Sequence, residues 1–137
     1  MSADDLFPAA LAVRDRAYAP YSTYLVGAAL RDEQGRVHVA ANVENAAYPQ
    51  SQCAEASAIG VLIAAGGRKI TEILVVADER PGLPSPCGAC RQRLREFATL
   101  DTPVHLAGLA GVIRTVTMGD LLPYSFGPEY LGKEAVR

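Results

Sequence analysis

Apolar positions along this chain recur with two different periods, and each change of period marks an element. Leu6, Ala10, Val13 and Ala17 follow one another at helical spacing. Ser2 stands ahead of them as a candidate cap, Asp4 and Asp5 charge the first turn favourably, and Pro8 is tolerated early. The period then shortens to two over residues 26–30 and 37–44, which predicts two strands joined by a turn around Asp32-Glu33-Gln34-Gly35. A second helix begins at Cys53 and runs to about Ala65, where Gly66-Gly67 ends it. Residues 73–77 form an unbroken apolar run, the pattern of a central strand covered on both faces. The Pro/Gly-rich stretch 78–85 delivers Pro86 to the first turn of a third helix that continues to about Phe97. Residues 103–106 and 112–117 predict the last two strands, and 119–122 a short helical turn. Helix, hairpin, helix, strand, helix and two strands together predict an α/β fold of three α/β/α layers around a mixed five-stranded sheet. Right-handed crossovers would bring the starts of the second and third helices together on one side.

Those two helix starts carry all three cysteines of the chain, Cys53, Cys87 and Cys90. Unpaired N–H groups and the helix dipole favour thiolates there. Three converging thiolates suit a soft divalent metal, zinc first, and a three-ligand set leaves the fourth tetrahedral position open, as in catalytic sites. Glu55 follows Cys53 by two residues, a rotation of roughly 200° on a helix. It is poorly placed to bind the same ion but could reach a water beside it. A structural zinc site would need a fourth ligand, which His38 or His105 could supply only through the fold. A redox pair of Cys87 and Cys90 would leave Cys53 and Glu55 without a role.

Strand alternation sets Asn42 and Glu44 on one side near the first metal motif, where an amide and a carboxylate suit a sugar's hydroxyls. A solvated polar strand end would look the same. His38 is expected on the surface, and His105 as a satisfied imidazole in the core or at the surface. Tyr18, Tyr21 and Tyr24 lie in a loop broken by Pro20, the first two expected to pack at a strand entrance. Phe126 and Tyr130 are apolar groups on a polar tail and suggest docking elsewhere.

At 137 residues the chain is expected to form one domain, residues 1–137. Half of its residues are hydrophobic, which in so small a chain leans towards self-association. A net charge of −2 offers no basic face, so a nucleic-acid partner is not expected. No basic segment precedes an apolar one at the N-terminus, and the apolar run 58–65 is too short for a bilayer. Unpaired cysteines then fit a cytoplasmic protein without membrane contact.

The chain also resembles the small cytidine deaminases of nucleoside salvage. The resemblance rests on Tyr18-Ala19-Pro20-Tyr21-Ser22, Val26-Gly27-Ala28-Ala29-Leu30, Asn42-Val43-Glu44-Asn45, both metal motifs, Arg91-Gln92, and Leu121-Leu122-Pro123 before Phe126. It implies one Zn²⁺ per chain on Cys53, Cys87 and Cys90, with hydroxide attacking C4 of cytidine or deoxycytidine. Glu55 would carry protons to N3 and to the departing amine. Asn42 and Glu44 would hold the sugar, and backbone around Ala54 and Ser85-Pro86 the base. Tyr24 stands where the family usually carries Phe near the pyrimidine. Homotetrameric relatives place a residue matching Phe126 in a neighbour's site, with Tyr48 at that border. One departure is Ala56, where members with three cysteine ligands often carry an arginine that balances the thiolates; Arg91 is the first substitute to expect. Three other readings remain: a deaminase of a modified or antibiotic cytosine nucleoside, a polynucleotide editor, against which the absent basic face speaks, and a non-catalytic zinc-stabilised binding module.

Overall fold

A computed structural model describes residues 3–80 and 82–133. Ser2, the expected cap, lies outside the described residues. The elements in order are α1 (Ala3–Arg14), β1 (Val26–Asp32), β2 (Val37–Ala41), α2 (Ala54–Ala64), β3 (Ile70–Ala77), α3 (Gly88–Arg95), β4 (Pro103–Gly108), β5 (Gly111–Thr117) and α4 (Met118–Leu121). Short 3₁₀ turns lie at Tyr48–Gln50 and Pro128–Leu131. The sheet runs β2-β1-β3-β4-β5, with β3 and β4 parallel and the other neighbours antiparallel. It is the mixed five-stranded sheet that the sequence predicts.

Two cores flank it. On one face Leu6 and Ala10 of α1 meet Ala29, Leu74, Val76 and Ala107. On the other, Ala54, Ala58 and Leu62 of α2 and Leu94 of α3 cover Ala28, Leu30, Ile73, Val75, Val104 and Leu106. β1 is antiparallel to both β2 and β3, so β2 and β3 point the same way. α2 and α3 therefore start from the same edge of the sheet and lie on the same face. This puts Cys53 beside Cys87 and Cys90.

The apolar run 73–77 is only part of its strand, because β3 begins three residues earlier, at Ile70, and includes the charged Glu72, which the sheet buries. Glu72 pairs with Arg31 at 3.0 Å and meets Nε2 of His105 at 2.6 Å, while His105 Nδ1 lies 2.8 Å from Thr115 Oγ1. His105 is thus the satisfied imidazole expected. His38 is not on the surface. It is buried, with Nε2 at 2.8 Å from Asp32 Oδ2, because the turn 32–36 folds Asp32 back beneath it. Burial would raise the Asp32 carboxyl, but His38, the Arg36 and Gln34 N–H groups and the Arg36 guanidinium outweigh it and hold the group down at about 2. The strand predicted over 37–44 stops at Ala41. Beyond it Val43 exchanges backbone hydrogen bonds with Gln52, and Tyr18 with Asn42 and Glu44, so the chain turns into the site.

Gly27 explains how closely α1 approaches the sheet, since a Cβ there would stand 2.2 Å from the Ala10 carbonyl oxygen. A side chain at this position must push α1 outwards. Gly27→Ala should cost about 1–3 kcal/mol, read as a lower urea midpoint; an unchanged midpoint would show that α1 shifts freely.

Candidate active site

Cys53 and Cys87 occupy the N-cap positions of α2 and α3, both in extended conformation and neither bonding its own helix through the side chain. Cys90 sits in the first turn of α3, fully buried. The three sulfur atoms lie within 4.8 Å of one another, with Cys53 Sγ and Cys87 Sγ 3.9 Å apart. Tetrahedral zinc with Zn–S bonds of about 2.3 Å needs sulfurs roughly 3.8 Å apart, so this donor set fits the ion. Among the described residues it is the one cluster able to hold a metal. His38 and His105, paired with Asp32 and Glu72, supply no fourth ligand. With Cys53 inside the cluster, a two-cysteine redox pair is also a poor description.

The thiols share their protons unequally. Hydrogen bonding from Cys90, then from Cys87, and the positive charge of Arg93 bring Cys53 down to about 6 against the cost of burial. The same bond and burial push Cys90 up. Arg91, the expected counter-charge, is engaged otherwise. Its Nε, Nη1 and Nη2 donate to Pro86 O (2.8 Å), Leu121 O (2.8 Å) and Ser85 Oγ (2.9 Å). It braces the segment before Cys87, and Arg93 supplies the favourable charge towards Cys53. Glu55 is 4 % exposed; burial, with the Cys53 charge adding, raises its carboxyl to about 7.

Glu55 opens into a cavity of about 300 Å³ that also receives Cys53, Ala54, Cys87, Asn42, Glu44 and Tyr24. In the same lining Glu44 accepts from the Ser22 hydroxyl, the Ser22 N–H (3.1 Å) and the Tyr21 N–H (2.9 Å), which holds it below the usual carboxylate range. Asn42 accepts from Val26 N–H and donates to Tyr24 O, each at 2.9 Å. It keeps one lone pair and one N–H for a ligand. The Tyr24 hydroxyl donates to Asp78 O at 3.3 Å. Pro84 and Ser85 also line the cavity, and no Lys or Arg among the described residues does.

Two predicted residues stand apart. Tyr48 is exposed and meets Tyr21 edge-on at 5.9 Å beside the Glu44 end. Phe126 is 54 % exposed and stacks on Tyr130 at 5.0 Å, away from this cavity. Ser22 was missed by sequence reasoning, although the Tyr18-to-Ser22 motif held it.

Residues 1–106 match the family model described as the cytidine and deoxycytidylate deaminase zinc-binding region. A cytidine deaminase of Halalkalibacterium halodurans is 44% identical over 124 residues, 90% of this chain and 93% of that protein. One from Sporosarcina psychrophila is 41% identical over 135 residues, 98% of each chain. The crystal structure of cytidine deaminase from Burkholderia pseudomallei superposes with a TM-score of 0.85 at 43% identity, covering 92% of this chain and all of that one. With its zinc-fitting thiols and buried carboxyl on this fold, the chain belongs to the cytidine deaminase family.

Proposed function

We propose that residues 1–137 act as one catalytic domain that hydrolyses cytidine and deoxycytidine to uridine and deoxyuridine with release of ammonia. The observation that carries this is the buried Glu55 carboxyl beside three clustered thiols, in a cavity that Asn42 and Glu44 also line. Held by Cys53, Cys87 and Cys90, zinc supplies Lewis acidity that makes hydroxide available near neutral pH. Glu55 then moves two protons. The first passes from the attacking water to N3 of the base; the second passes from the oxygen added at C4 to the amine, whose bond to C4 breaks. N3 keeps its proton, the C4 oxygen becomes the uracil carbonyl, and Glu55 ends as it began. Asn42 and Glu44 hold the sugar, Ala54 and Ser85 flank the base, and Tyr24 closes the side wall.

The matching family description spans nucleoside and nucleotide deaminases, and the cavity favours nucleosides. A phosphate would share the cavity with the Glu44 carboxylate, and no Lys or Arg among the described residues lines it to balance the charge. Cytidine and deoxycytidine should lose their ultraviolet signature in a direct assay, while deoxycytidylate and free cytosine should react at least a hundredfold more slowly. Equal rates for deoxycytidylate would place a phosphate site where none is seen. Glu55→Gln should keep about one zinc per chain yet lose a hundredfold or more in kcat, whereas Cys90→Ser should lose the metal. Zinc loss in Glu55→Gln would move that residue into the ligand set.

The active form is inferred to be a cytoplasmic homotetramer serving pyrimidine salvage. Among the described residues no helix is long and apolar enough to cross a membrane. Tyr124, Phe126, Tyr130 and Leu131 are exposed together on the C-terminal segment, a patch suited to a second copy. Phe126 would enter a neighbour's cavity, with Tyr48 at the border. Phe126→Ala should raise KM, and mixing it with Glu55→Gln should restore part of the activity through sites that draw Glu55 from one chain and Phe126 from another. A fully active monomer in sedimentation would overturn this arrangement.

A further inference from the structure

The cavity wall formed by Pro84 and Ser85 belongs to the connection from β3 to α3, whose two ends are fastened differently. At the α3 end Arg91 grips Pro86 O and Ser85 Oγ. At the β3 end the fastening comes from the segment just before β1, which supplies Ser22 and Tyr24 to the cavity lining. Tyr24 donates its hydroxyl to Asp78 O, and the Arg80 guanidinium carbon lies 5.7 Å from the centre of the Tyr24 ring. Arg80 Nη2 also donates to Thr23 O at 2.8 Å, and Arg80 Nε lies 3.6 Å from Asp78 Oδ2. Thr23 has a φ of 58°, in the left-handed region that a β-branched residue rarely adopts. Its N–H donates to Ala19 O at 3.0 Å, so the strained turn is tied on both sides. From Tyr24 the contacts continue to the sugar end. The Tyr24 N–H donates to Ser22 Oγ, which donates to Glu44, and Tyr24 O accepts from Asn42.

We propose that Tyr24 and Arg80 are positioning residues: they hold Asp78 and Arg80 against residues 22–24 and so fix the distance between the Pro84–Ser85 wall and the Asn42–Glu44 end of the cavity. The inference rests on the nucleoside reading above only for what fills that gap. Arg80 touches neither the thiols nor the cavity interior, and the Tyr24 hydroxyl is turned to backbone rather than to a ligand. A cation over an aromatic face and a guanidinium–carbonyl hydrogen bond each contribute modestly, and together they are enough to hold an exposed connection. Loosening them lowers the fraction of molecules whose wall is correctly placed. That raises KM by the inverse of the fraction and leaves kcat in place once substrate is bound.

Arg80→Ala should raise KM for cytidine about tenfold with kcat within twofold, and with zinc content and Tm unchanged. Tyr24→Phe, which keeps the ring and loses the hydroxyl, should raise KM about threefold. Arg80→Lys, which keeps a cation but loses the fork, should restore most of the binding lost in Arg80→Ala. The Tyr24→Phe/Arg80→Ala double variant should stay near tenfold instead of multiplying to about thirtyfold, since both changes release one fastening. Without any nucleoside, amide hydrogen exchange at Gly82, Leu83 and Ser85 should quicken about tenfold in Arg80→Ala. Unchanged exchange and unchanged KM in Arg80→Ala would overturn the proposal, as would a parallel fall in kcat, zinc content and Tm. Faster exchange in a protein whose parent does not turn over cytidine would uphold the fastening and overturn the nucleoside reading instead.

Discussion

Everything at this site depends on two helix starts being held together at one edge of a sheet. A helix start is a place where backbone N–H groups lack partners and negative charge is welcome. Bringing two of them together lets three sulfurs, which repel one another once ionised, occupy one small volume. The sheet supplies the geometry without any contribution from the sulfurs. β2 and β3 point the same way across β1, and both crossovers lie on one face, so the ends of α2 and α3 must meet. The apolar layer of Ala54, Ala58, Leu62 and Leu94 keeps them there. Metal binding and folding are therefore linked: an ion held by these sulfurs stabilises the docking of the two helix starts by as much as that docking favours the ion.

The opposite face of the sheet adds a polar row to its own apolar core under α1. Asp5, Arg31, Glu72, His105 and Thr115 form a row of ionic and hydrogen-bonded contacts running through four strands beneath and beside α1. No buried side-chain nitrogen or oxygen among the described residues lacks a partner. Such a row adds little net stability over apolar packing, but it tolerates only one register of the strands, because a slip would leave several charges unpaired. The apolar face fixes where the helices lie; the polar row fixes how the strands pair.

What could be read from the chain follows the range of each interaction. The grouping of Cys53, Cys87 and Cys90 was legible because all three lie at or within one turn of a helix start, and short spacings keep Glu55 beside Cys53 and Cys90 beside Cys87. Asn42 and Glu44 were legible from a short spacing too, although their strand ends at Ala41 and hydrogen bonds to Tyr18 and Gln52 carry the alternation onward. His38 was misread because its partner, Asp32, is brought beneath it only by the hairpin turn. Arg91 and Arg93 could not be ranked from sequence, since adjacent helix neighbours diverge by about 100° and only the docking of Leu121 and Ser85 decides which one is engaged. Tyr48 and Phe126 do not line the cavity, and a single chain carries no record of what else they could meet.

The amide of Asn42 has one further consequence. Its oxygen takes the Val26 N–H and its nitrogen gives to the Tyr24 carbonyl, so one side chain fixes the spacing of two backbone segments while presenting its remaining lone pair and N–H to the cavity. Asp in its place would keep the acceptor and turn the donor into a second negative oxygen facing a carbonyl. Gln would keep both functions one methylene too far out. No other residue meets both demands: the group that spaces these two segments and the group left facing the cavity are the same carboxamide.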